Sequence, residues 1–123
     1  MRIQEFGLFQ QFPYGTYHRI ETLTDGSAIP LDATLADVFT VSSVNNPTIT
    51  ISGTVPSGYT KKIIILFRAQ GADRTLAIDT GNFLYSADVP AFSATTNGKC
   101  DKIGIIWFPT SSRWELVAYS KGA

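Results

Sequence analysis

Residues 47–51 read Pro47-Thr48-Ile49-Thr50-Ile51, threonine and isoleucine taking turns along the chain. In an extended strand successive side chains point to opposite faces, so Ile49 and Ile51 share one side and Thr48 and Thr50 the other. The same two-residue period spreads outward from this stretch. Upstream, Ala28-Ile29-Pro30-Leu31 puts Ile29 and Leu31 together, and residues 36–43 turn Phe39 and Val41 inward against Thr40 and Ser42. Downstream, residues 61–68 hold an unbroken Ile63-Ile64-Ile65-Leu66-Phe67, which suits a central strand covered on both faces. Residues 74–79 alternate again with Leu76 and Ile78 inward, and residues 101–108 form a second two-sided run. In residues 113–120, Trp114, Leu116 and Ala118 alternate against Glu115, Val117 and Tyr119.

Turn chemistry falls between these segments: Asp25-Gly26, Asn45-Asn46-Pro47, Pro56-Ser57-Gly58, Gln70-Gly71-Ala72-Asp73, Thr80-Gly81-Asn82 and Asn97-Gly98. Pro109-Thr110-Ser111-Ser112 reads as a four-residue hairpin loop between the last two strands. Helical periodicity is limited to one turn at residues 35–37 and a bend at residues 86–91. The expected fold is therefore all-β: a single antiparallel β-sandwich or jelly-roll-like domain of seven to nine strands over residues 20–120, with a tail at 121–123.

Residues 1–19 differ in character. Phe6, Phe9, Phe12, Tyr14 and Tyr17 crowd into them, while Gly7, Pro13 and Gly15 break any helical reading of the three-residue spacing. They read as an extended aromatic arm. Each aromatic removes roughly 150–250 Å² from water when buried, so the arm is expected to fold back on its own domain or to dock on another chain. Docking is the favoured expectation, with these five residues as anchors.

With 123 residues the chain has room for one core. Ten Lys and Arg balance ten Asp and Glu, and charged residues make up only 16% of the chain, below the usual quarter. A neutral, charge-poor surface argues against a nucleic-acid partner, which needs a basic stripe, and leaves a monomer poorly protected against association. Lys61, Lys62 and Arg68 read as charges guarding the isoleucine run. The longest apolar runs are too short to cross a bilayer, so no membrane partner is expected. Cys100 is the only cysteine and His18 the only histidine. One of each supplies neither a metal site nor a cofactor site, and His18 beside Arg19 reads as a solvated or capping residue. The ten acids scatter over turns and strand ends without singling out a catalytic pair. No catalytic or metal-binding residue is expected; an enzyme, for instance a small hydrolase, is the disfavoured class. Trp107 reads as core, and Trp114 or Tyr119 as an outward aromatic suited to a carbohydrate.

Residues 24–120 resemble the small β-sandwich domains of bacteriophage virion proteins, namely tail-fibre tips, head fibres and capsid decoration proteins. The resembling stretches are Thr24-Asp25-Gly26-Ser27-Ala28-Ile29, Val38-Phe39-Thr40-Val41 and Pro47-Thr48-Ile49-Thr50-Ile51. They continue through residues 62–68, Arg74-Thr75-Leu76-Ala77-Ile78-Asp79, Cys100-Asp101-Lys102-Ile103-Gly104-Ile105-Ile106-Trp107 and a final hairpin ending Arg113-Trp114-Glu115-Leu116-Val117-Ala118-Tyr119. The match is one of order and spacing. It implies a structural or receptor-binding role, often as a homotrimer, and carries over no catalytic residues. A start at Met1 without a shaft of repeats favours a stand-alone subunit: a decoration or cement protein bound to the major capsid protein at the head surface. Residues 19–23 are expected to be free to pair with a neighbouring subunit. The alternative is a tail module that binds a glycan or receptor through residues 57–59 or 109–113.

Overall fold

The computed structural model describes residues 17–79, 81, 83–85 and 92–122. Nine strands run through them: β1 Ile20–Thr22, β2 Ala28–Asp32, β3 Val38–Ser43, β4 Thr48–Ser52, β5 Lys62–Ala69, β6 Ala77–Ile78, β7 Phe83–Leu84, β8 Cys100–Phe108 and β9 Arg113–Ser120. The described residues contain no helix, and the all-β expectation stands in that form. Phe6, Phe9, Phe12 and Tyr14 of the expected arm, and the bend expected at residues 86–91, lie outside the described residues.

Two sheets form. The larger has the order β1-β3-β5-β8-β9-β7 and the smaller β2-β4-β6. Odd and even strands from β1 to β6 thus alternate between sheets, and β1–β3, β3–β5, β2–β4 and β4–β6 all pair in parallel. This corrects the antiparallel expectation. Alternating hydrophobicity reports which face a residue takes and says nothing about strand direction. Parallel neighbours need a crossover, and here a strand of the opposite sheet supplies it, so the chain winds in successive coils. Of the strand pairs among the described residues, β5–β8 and β8–β9 are antiparallel. The β8–β9 connection is the hairpin expected at residues 109–112, with Ser112 at a φ of 53°.

The inward faces of both sheets meet in one core. The smaller sheet contributes Ile29, Ile49 and Ile78 at one level, with Leu31 and Ile51 at the next. The larger contributes Phe39, Ile65 and Ile103, then Ile63, Ile105 and Leu116, and finally Trp114 beside Phe83. Tightly stacked coils leave little room at their corners. Gly53, at a φ of +96°, ends β4 where a Cβ would come within 2.8 Å of Asp32 Oδ1 and 3.0 Å of Thr34 Cγ2. Asp32 Oδ1 itself accepts from the Thr34 N–H (2.9 Å) and hydroxyl (2.7 Å), closing the turn that ends β2.

Four further expectations change. β5 and β8 are covered on one face only: Ile63, Ile65, Phe67, Ile103 and Ile105 are buried, whereas Ile64 is exposed and Ile106 half-buried. An apolar run cannot by itself tell a doubly covered strand from one with a greasy outer face. Trp114 is fully buried rather than outward, while Trp107 sits directly opposite it, half-buried, in an edge contact at 5.5 Å between ring centroids. Gly104 pairs with Ala118 but Ile105 with Leu116, so Val117 is the extra residue of a bulge. That residue flips the phase of β9: Tyr119 joins the inner side and Ala118 moves to the outer one. Finally, the strand expected over residues 74–79 shortens to Ala77–Ile78, because Arg74 turns away to bridge Thr95.

Candidate functional site

Chemistry collects at one end of the larger sheet. The strand ends leading from Tyr17 into β1, from Asp37 into β3 and from Lys61 into β5 lie there with the end of β8. The Arg19 carbonyl accepts from the Asp37 and Val38 N–H groups (3.1 Å each), and the Asp37 carbonyl accepts from the Ile64 N–H (2.9 Å). These backbone bonds hold the Asp37 side chain between Lys61 and His18. Lys61 Nζ lies 3.7 Å from one carboxylate oxygen and His18 Nδ1 3.5 Å from the other. Lys61 Nζ also donates to the Ala33 carbonyl, and the Thr60 hydroxyl to that of Trp107.

Two adjoining hollows flank this cluster and share Asp37, Thr60 and Lys61. One, about 390 Å³, has an apolar floor of Ala33, Val55 and Pro56. The other, about 430 Å³, is bounded by Tyr17, His18 and Lys62. Together they make an open groove with an ion-pair lip on an apolar base. The loop at residues 57–59 and the hairpin at residues 109–113 reach the same end, and Tyr17, Tyr59 and Phe108 are exposed around it. Of the five aromatics expected in the arm, Tyr17 is the one within the described residues; it borders the groove. Among those residues no three His, Cys, Asp or Glu side chains stand close enough together to share a metal ion.

The opposite end holds a second carboxylate of another kind. Asp101 occupies an inward position of β8 and is buried. Its Oδ2 accepts from the Thr95 hydroxyl (2.7 Å), the Tyr119 hydroxyl (3.3 Å) and Lys121 Nζ (3.5 Å), and its Oδ1 from the Gly122 N–H (2.7 Å). Lys121 also donates to the Ser93 hydroxyl and the Ala94 carbonyl. Residues 121 and 122, read from sequence as a tail, are thereby fastened to the sheet. Cys100 is partly buried beside this network.

The third feature is the outer face of the larger sheet. The registers define three levels across it. Ile20, Val38, Ile64, Gly104 and Ala118 lie side by side on five adjacent strands, with the bulged Val117 next to Ala118. This level has no polar side chain, and Ile20, Ile64 and Val117 are 62%, 46% and 50% exposed. On one side runs the level Leu84, Glu115, Ile106, Lys62; on the other Thr22, Thr40, Leu66, Lys102, Ser120. The isoleucine run did signal this face in the sequence, but as a doubly covered strand. Asp37 and Lys61 had no signal, since only the coiling brings residues 18, 37 and 61 together.

The chain matches no protein-family model, and no curated protein is similar to it at a significant level.

Proposed function

We propose that the protein is a structural component of a bacteriophage virion: a decoration or cement protein, built as a two-sheet β-sandwich, that sits on the head surface against the major capsid protein. Residues 1–19, with Phe6, Phe9, Phe12, Tyr14 and Tyr17, are its means of attachment, and copies act together as a trimer. The observation that carries an assembly role is the apolar level across five strands of the outer sheet face. Neighbouring exposed apolar side chains such as Ile20, Ile64 and Val117 on one sheet face are the kind of surface that protein contacts use. Zero net charge adds to this, and the resemblance of residues 24–120 supplies the phage context. Co-sedimentation with stripped heads tests the proposal. The full chain is expected to pellet with heads, a chain lacking residues 1–17 to stay folded in the supernatant, and immunogold label to spread over the head. Equal pelleting of a well-folded truncation overturns attachment through the arm.

One observation favours a second reading, a glycan- or receptor-binding tail module. The loops at residues 57–59 and 109–113, exposed Tyr17, Tyr59 and Phe108, and the groove beside Asp37 all lie at one end of the sheet. Rings over an apolar floor with charged groups at the lip suit a sugar, one face of which is apolar and whose rim is hydroxylated. Under this reading the label falls at the tail tip, and Asp37→Ala abolishes binding to host-cell polysaccharide.

A further inference from the structure

We propose that the outer face of the larger sheet is the contact between copies of this chain, arranged around a rotation axis that runs along the strands. This deepens the assembly reading, on which it rests, by naming the occupant of the face. Rotation about an axis parallel to the strands leaves every residue at its own height, so each level of one copy meets the same level of the next. The apolar level then closes on itself: Val117 and Ala118 from the β9 side of one copy meet Ile64, Val38 and Ile20 from the β5–β1 side of its neighbour.

Charge follows the same geometry. Glu115 on β9 and Lys62 on β5 share a level, separated by Ile106 on β8 and so about 10 Å apart at two strand spacings. The same rotation sets Glu115 of each copy against Lys62 of the next, opposite charges at every repeat of the interface. A like-charged pair there would oppose assembly. The bulged Val117 lies beside Ala118 at the level of Ile64, and both Val117 and Ile64 are exposed.

Sedimentation equilibrium of the full chain tests this without heads present. The expected result is one closed oligomer at micromolar concentrations. Ile64→Lys and, independently, Val117→Lys change exposed positions and are expected to give monomers with the far-UV CD spectrum of the wild type. Glu115→Lys is expected to weaken association at least about tenfold, and Glu115→Lys combined with Lys62→Glu to restore it. A wild-type monomer overturns the proposal, as does an oligomer that both lysine variants leave intact; a charge exchange that restores nothing overturns the register. The assembly reading fails separately: a monomer that pellets with phage heads refutes self-contact alone, and an oligomer that ignores both heads and tails refutes the virion role alone.

Discussion

The two ends of the larger sheet each pair a carboxylate with a lysine at nearly the same distance, 3.5 Å for Asp101 and Lys121 and 3.7 Å for Asp37 and Lys61. Their surroundings separate them. The Asp101 side chain is 2% exposed and that of Asp37 42%. A buried carboxylate is tolerable only when its lone pairs are taken, and Asp101 accepts from Thr95, Tyr119, Lys121 and Gly122. An exposed pair gains little over water and stays available to a ligand. Distance alone therefore does not tell a latch from a site; desolvation and saturation of the hydrogen bonds do.

The sharpest way to break this contrast is Asp101→Ala. It strands the buried Thr95 hydroxyl and removes the acceptor that holds Lys121 and Gly122 to the sheet, so a loss of about 2–3 kcal/mol is expected from urea unfolding. Thr95→Val removes one buried donor and leaves the carboxylate three partners; about 1–2 kcal/mol is expected. If Asp101→Ala costs no more than Thr95→Val, the latch is not what fastens this end.

The groove end is held by backbone instead. Gly53→Ala forces a residue with a side chain into a φ of +96° and drives its Cβ toward Asp32 Oδ1 and Thr34. A cost of about 1–3 kcal/mol follows from the backbone alone, read as a lowered denaturation midpoint. By contrast Asp37→Asn should shift stability by less than about 1 kcal/mol, because its pairs with His18 and Lys61 are solvent-facing. A larger loss would make Asp37 a structural residue and remove the groove from consideration.

How much of this was legible follows from what a two-residue period encodes. Ile29, Leu31, Phe39, Val41, Ile49, Ile51, Leu76 and Ile78 face the core as their alternation requires, and all are buried. Direction and partner are absent from such a signal, so the alternation fits antiparallel strands as well as the parallel coils found here. Phase holds only while the strand is regular: the extra residue at Val117 reversed Tyr119 and Ala118, and nothing in Leu116-Val117-Ala118 announces a bulge. Asp101 was partly legible, since it shares the phase of Ile103 and Ile105, but a charge at an inward position reads as a strand end until its donors are seen. Those donors come from residues 95 and 119–122, joined to it only by the fold. The groove has the same origin. His18, Asp37 and Lys61 are ordinary surface residues in sequence, and coiling makes them neighbours.

The smallest expected effect lies in the acid range, where each end carries one carboxylate held below its ordinary value of 3.8. At the latch end, burial of Asp25 favours the neutral form, but the polar groups around it outweigh that: its Oδ2 accepts from the Val44 N–H (2.9 Å) and the Asn45 amide (3.1 Å), with the Ser43 hydroxyl and the Gly26 N–H close by. At the groove end, the Thr34 hydroxyl and N–H hold Asp32 down, helped by the Lys61 charge against slight desolvation. A carboxyl that is more acidic folded than unfolded stabilises the fold above the unfolded value and loses that contribution as pH falls through the lower, folded one. Both groups therefore act in the same window, from about pH 4 downward, and Asp25→Asn or Asp32→Asn should each flatten the acid-side fall in the urea midpoint. Salt tells them apart. In molar salt the screening length shrinks to about 3 Å, so the share of Asp32 that Lys61 supplies through space fades while its Thr34 bonds persist. Asp25 owes nothing to a neighbouring charge, and its contribution should be the same at low and high salt. An Asp25 effect that salt halves would mean an unseen cation at the latch end, and the two ends would then differ less than their geometry indicates.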